Sequence, residues 1–299
     1  SGFFSELGQN LQLYAKYKAL ASLDGFKDWP LARRTTVQNA LRDFRLSGAE
    51  LDDSGKKRFP EIENRLAALA AKFSENVLDA TDAFSLIITD KAELEGIPDD
   101  VLGMYEEAAK AEGKQGYKIT LQFPSVGPLM QYCSNRALRE RLYEANVKRA
   151  SEFGPAERDN APIIRERLGL IKEKAALLGY KNYAELSVVP KMADNPEEVI
   201  TFFRDLAAKA KPFAEEERKD LEAFAAKELG LMDLQAWDIS YAAEKMRAAL
   251  YSFSDQEVKQ YFTENKVKEG LFNVVRTLYG IEIEMAEAPV WHKDVSYYE

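Results

Sequence analysis

FPEIENRLAALAAKFSENV, residues 59–77, places Phe59, Ile62, Leu66, Leu69, Phe73 and Val77 three or four positions apart. That interval returns apolar side chains to one face of a helix with 3.6 residues per turn, and it is incompatible with the strict alternation of a strand. Working back toward the amino end, Val37, Leu41 and Phe44 repeat the pattern. Gly48 and Asp52-Asp53-Ser54-Gly55 break the chain between the two segments, predicting a helical hairpin.

Beyond Val77 the pattern changes. Phe84–Thr89 (FSLIIT) and Tyr117–Phe123 (YKITLQF) are rich in β-branched and aromatic residues, and turn residues bound both, so each predicts a strand. Between them Ile97-Pro98-Asp99-Asp100 opens a short helix, with acids at its positive dipole end, and Gly113–Gly116 closes it. Helices then resume. Ser134 is positioned to cap one running to about Ala150, where Gly154-Pro155 breaks the chain. The next runs to Leu178 with Ile164, Leu168, Ile171, Ala175 and Leu178 on one face and Gly179 after its end. Asn195-Pro196-Glu197-Glu198 starts a helix reaching toward Glu228, with Pro212 kinking or dividing it. Ser254-Asp255-Gln256-Glu257 forms a capping box, and Val274–Leu278 lie in a last helix closed by Gly280. The tail, Ile281–Met285 and Val290–Tyr298, alternates like β structure.

The fold class is therefore mainly α, a multi-helical lobe with a small antiparallel sheet. Two regions are expected: 1–155, a helical hairpin plus a small β insertion, and 156–299, a helical region ending in strands. One continuous lobe across residue 155 is the alternative.

Composition narrows the function classes. Of 299 residues, 46% are hydrophobic and 30% charged, the balance of a soluble globular protein with a core. No apolar run approaches the roughly 20 residues of a membrane helix. A net charge of −9 disfavours nucleic acid as a partner. The basic clusters Lys56-Lys57-Arg58 and Arg139 with Arg141 sit among acids on helices and are expected on solvated faces. A single cysteine, Cys133, excludes an internal disulfide and suits a reducing compartment, so a cytoplasmic location is expected.

A single histidine, His292, restricts the chemistry further. Any Ser-His-Asp or Cys-His site would have to use it, and a catalytic zinc usually takes two or three histidines. Its place in the terminal strand pattern favours a packed or hydrogen-bonded structural role. Cys133 follows Tyr132 in an uncharged setting and is expected to be an inert, buried thiol. Gly113-Lys114-Gln115-Gly116 lacks phosphate-loop spacing and predicts a plain turn. The acid pairs Asp52-Asp53, Asp99-Asp100 and Glu197-Glu198 fall at helix starts, where dipole complementarity explains them. Trp237, Asp238 and Tyr241 either line a cleft or cap and pack a helix, and the second reading is favoured. On pattern alone the chain is a helical module, with a binding or scaffold role open to it.

A set of short stretches in order along nearly the whole chain resembles the thimet-oligopeptidase family of zinc metallopeptidases, its bacterial members above all. They include Ala40-Leu41-Arg42-Asp43-Phe44, Leu46-Ser47-Gly48, Asn76-Val77-Leu78-Asp79-Ala80-Thr81 and Leu177-Leu178-Gly179-Tyr180-Lys181-Asn182-Tyr183-Ala184. They continue through Lys191-Met192-Ala193, Trp237-Asp238, Tyr261-Phe262, Glu264-Asn265-Lys266, Leu278-Tyr279-Gly280-Ile281 and Val290-Trp291-His292-Lys293-Asp294-Val295. Ala242 after Tyr241, Gln260 and Thr263 depart from the family's usual residues. The resemblance implies a helical two-lobed peptidase whose deep channel admits short peptides. It also implies a zinc held by an HExxH helix and a later glutamate, both carboxyl-side of Val290–Val295. None of those groups can be placed here, so no catalytic or metal-binding residue is carried over and no substrate-binding residue is assigned. With an opening at Ser1-Gly2-Phe3 and a close on Val295-Ser296-Tyr297-Tyr298-Glu299, the chain is expected to be an amino-side fragment, cut at both ends. Such a fragment is expected to bind no zinc itself, to be inactive alone, and to self-associate through surface bared by truncation.

Overall fold

The computed structural model describes residues 7–252 and 255–299. The amino-terminal Ser1-Gly2-Phe3 and Ser254 of the expected capping box lie outside them. Helix α1 (Leu11–Ala21) is capped by Asn10, whose side chain accepts from the Leu13 amide. It packs on α2 (Leu31–Leu46), where Tyr14, Phe44 and Ala49 form a small buried cluster and the Tyr14 and Phe44 rings lie 5.3 Å apart.

Helix α3 (Asp53–Asp82) carries the segment that opened the sequence argument. Asp52 caps it by accepting from the Gly55 amide at 2.7 Å. Phe59, Ile62 and Leu69 are buried on one face, as their spacing requires, each contributing about 1.5–3 kcal/mol. The helix packs on α7 (Ala161–Leu177). There Arg58 pairs with Glu173 at 2.7 Å and Arg65 with Glu166 at 2.6 Å. The Asn76 amide donates to the Asn160 side chain at 2.9 Å, in the buried zone near the start of α7.

Strands β1 (Ser85–Ile88) and β2 (Tyr117–Thr120) pair antiparallel, with Leu86 opposite Ile119, and α4 (Asp99–Lys110) connects them and packs on β2. Gly116 precedes β2 at φ +99, and a Cβ there would lie 2.4 Å from the Ile88 carbonyl oxygen. The second strand ends earlier than its composition predicts. Pro124 has no amide to extend the ladder and is preorganised for a helix start, so the chain turns into α5 (Phe123–Tyr132). The Ser125 hydroxyl accepts from the Thr120 amide where the ladder stops.

Helix α6 (Arg136–Val147) is capped by Asn135, which accepts from Leu138, and not by Ser134, whose hydroxyl donates to Glu95. The largest core cluster joins the sheet to α4, α5 and α6 through Leu94, Tyr105, Ile119, Leu129 and Leu142. Tyr105 donates to the Ser125 carbonyl, and burial pushes its hydroxyl pKa up.

Helix α7 departs from its expected face. Ile163 and Ala175 are buried, whereas Ile164 and Leu168 are 46% and 59% exposed. Ala175 of the expected stripe is buried and Ile171 and Leu178 are half-buried, so only the amino-terminal part of that stripe turns to solvent, on the helix that also carries Glu166 and Glu173 paired with α3. After α8 (Tyr183–Val188) comes α9 (Pro196–Leu229), a single helix that contains Pro212, with Asn195 capping the Glu198 amide at 2.9 Å. A 3-10 turn at Ala236–Asp238 leads into α10 (Ile239–Tyr251), which packs on α5 and α9. Helices α11 (Asp255–Lys259) and α12 (Glu264–Tyr279) follow, the latter ended by Gly280 at φ +66.

Of the β-patterned tail, only β3 (Met285–Ala286) and β4 (Tyr297–Tyr298) pair, antiparallel. Alternation makes a strand only where an edge is available, and this ribbon meets no other strand among the described residues. The fold class is mainly α, as expected: twelve α-helices among the described residues and a small antiparallel sheet. No described helix is long and apolar enough to cross a membrane.

Candidate functional site

Trp237, Asp238 and Tyr241 converge on two arginines of α6. Asp238 is wholly buried, and Arg139 is 1% exposed. Asp238 Oδ1 accepts from Arg139 Nη2 at 2.8 Å, and Oδ2 accepts from Arg136 Nη2 at 2.7 Å and from the Gln235 amide at 3.0 Å. The remaining guanidinium donors of Arg139 reach the carbonyls of Cys133 at 2.6 Å, Ser134 at 3.2 Å and Trp237 at 3.2 Å. Its Cζ sits 4.1 Å from the centre of the Tyr241 ring. The Trp237 ring packs 5.9 Å from that of Tyr143.

The electrostatics follow from this geometry. Burial alone would raise the Asp238 pKa, but hydrogen bonds from Arg136, Arg139 and the Gln235 amide outweigh it and hold the carboxyl below its ordinary range. Such a carboxylate stays ionised near neutrality, has no bulk access and spends its acceptors on structure. It cannot exchange a proton with a substrate. Burial raises the pKa of the neighbouring Cys133 thiol and keeps it protonated, away from nucleophilic use. The cluster thus caps and packs, tying α6 to the turn before α10.

Arg139 corrects an expectation. Placed on a solvated face by its acidic neighbours in sequence, it is one of the most deeply buried side chains. Its partner lies 99 positions away, beyond any periodicity argument. Arg58 of the other basic cluster is half-exposed and pairs with Glu173 and Glu61.

The other singled-out residues are not brought together. His292 is hydrogen-bonded but not packed: its side chain is 59% exposed, and Nδ1 accepts from the Asp294 amide at 3.3 Å. Gly113 ends the turn that closes α4, and Gly116 sits at a bend before β2. The acid pairs all lie at the starts of α3, α4 and α9. No group of three histidine, cysteine, aspartate or glutamate side chains that could hold a metal occurs among the described residues.

The carboxyl end is distinctive in another way. Helix α12 has no buried residue, and Val267, Leu271, Val274 and Leu278 on it are each more than half exposed. Phe202, Phe203, Leu206 and Phe213 of α9 are likewise open. Large apolar side chains are exposed on both helices, the composition from which interfaces are built.

A sequence model described as "Peptidase family M3" matches residues 129–299. Oligopeptidase A of Salmonella typhimurium and that of Escherichia coli are each 44% identical to the chain over 302 residues. These matches cover 100% of the chain and 44% of each relative. The organellar oligopeptidase A of Arabidopsis thaliana is 39% identical over 308 residues, covering 99% of the chain and 38% of that protein. The chain spans less than half the length of these relatives.

Proposed function

Because the chain belongs to peptidase family M3, we propose that it is the non-catalytic amino-side part of a longer zinc-dependent oligopeptidase that hydrolyses short peptides in the cytosol. The observation that carries this reading is full-length similarity to proteins more than twice as long. The open apolar faces of α9 and α12 support it, since a further portion of the same polypeptide would cover them. The single cysteine is in keeping with a reducing compartment.

Zinc would polarise the scissile carbonyl and activate the attacking water in the whole enzyme. The residues present do not fit that ion. The histidine and aspartate at 292 and 294 make one exposed pair, and no larger donor group stands among the described residues. The role left to this chain is scaffold and channel wall. In that role 1–155 contributes the helices and small sheet, and 156–299 leads toward the catalytic portion. The ion pairs of Arg58 and Arg65 with α7 join the two.

The test has two parts. A quenched-fluorescent peptide incubated with this chain and added zinc is expected to remain intact, and chelator-sensitive turnover would overturn the claim of inactivity. The gene read beyond Glu299 is expected to encode an HExxH helix and a later glutamate. A stop codon soon after Glu299 would favour the scaffold reading instead.

A further inference from the structure

We propose that a pocket between the carboxyl ends of α3 and α6 and the loop 150–158 binds a small polyanion of phosphate type. The cavity measures about 360 Å³, within the range that takes a small molecule. Arg141, Lys148, Arg149 and Arg158 line it, in a chain whose net charge is −9. Glu144 is the one carboxylate among its lining residues, and it pairs with Lys148 at 3.5 Å.

The three arginines keep their charge uncompensated. Arg149 Nη1 donates to the Thr81 hydroxyl at 2.8 Å and Nε to the Asn146 carbonyl at 2.9 Å, both neutral acceptors. Among the described residues the Arg158 guanidinium reaches only the Asp79 carbonyl oxygen, at 3.4 Å. Arg141 is exposed and makes no hydrogen bond or ion pair among the described residues. By contrast, Arg58, Arg65, Arg136, Arg139 and Arg218 each pair with a carboxylate. Neutral acceptors hold Arg149 in place without cancelling it, which is the arrangement that leaves a guanidinium fork free for an oxyanion. Phosphate is favoured over a lone carboxylate because three guanidinium groups and an ammonium face one cavity, and a multiply charged group can engage several. Phe84 and the exposed Phe153 add apolar wall for the body of such a molecule.

Calorimetric titration of the chain with inorganic pyrophosphate, with citrate as a carboxylate polyanion, tests this. Saturable pyrophosphate binding is expected, weakened about tenfold or more by Arg141→Glu, since a charge-assisted contact is replaced by repulsion. Arg204→Glu, an exposed arginine on α9, should leave it unchanged. Because Arg141 has no partner among the described residues, its variant should melt with the parent, and a matched melting temperature separates loss of binding from loss of fold. No saturable binding, or equal weakening by Arg204→Glu, overturns the site. Citrate binding as tightly as pyrophosphate overturns the phosphate assignment.

Discussion

Asp238 shows how a residue picked out for chemistry turns out to be structural. Among the described residues its carboxylate is the only acid paired with the buried Arg139 guanidinium. Removing it leaves a cation without a counter-charge in the interior. Asp238→Ala is therefore expected to cost about 3–5 kcal/mol in urea denaturation; a loss below about 1 kcal/mol would show the pair to be dispensable. The same contact predicts an acid dependence. A carboxyl held below its ordinary value stabilises the fold fully above the unfolded pKa of about 3.9, and that stabilisation is lost as pH falls through the lowered folded value. In Asp238→Asn this part of the acid slope should vanish. Glycine separates two cases just as sharply. Gly116→Ala, at φ +99 and against the Ile88 carbonyl, should lose more than about 1 kcal/mol. Gly103→Ala, inside α4 with open space around it, should gain about 0.5–1 kcal/mol. Equal shifts in melting temperature for the two would contradict the argument.

Among the elements, the helices with local signals were legible in sequence. Asn195 and Pro196 announced α9, and the deletion of that cap by Asn195→Ala should cost about 1 kcal/mol; circular dichroism during denaturation would show no change if the cap were idle. Of the two outcomes expected at Pro212, division does not occur, since it sits within one continuous element. Both β1 and β2 were legible from composition, but the end of β2 was not, because the decision rests on Pro124 and on a Ser125 hydroxyl that meets Thr120 only after the chain turns. The face of α7 was misread for a related reason. Its periodicity marks an apolar stripe, but how much of the stripe is covered depends on α3, more than 100 positions away in sequence, and at Ile164 and Leu168 the cover is missing.

At the scale of the whole molecule, apolar surface is unevenly distributed. The amino-side sheet and its helices share a buried apolar cluster, whereas α12 has no buried residue. The isolated chain is expected to self-associate through these faces, and Leu271→Glu, at a position already 57% exposed, should reduce association without lowering stability. Sedimentation showing a monomer at every concentration would count against it.

Periodicity, capping residues and turn chemistry determined the helical class, most helix starts and the small sheet, because those are local interactions encoded within a few positions. The shortage of histidine already restricted the chemistry, and the ordered family motifs pointed to the peptidase relationship. The tertiary structure decided what local patterns cannot carry: that Arg139 is buried against Asp238, that Ile164 and Leu168 of α7 face solvent, and that Arg141, Arg149 and Arg158 share one cavity. A charge or an apolar stripe has a meaning only relative to its surroundings, and for Arg139 those surroundings include a carboxylate 99 positions away.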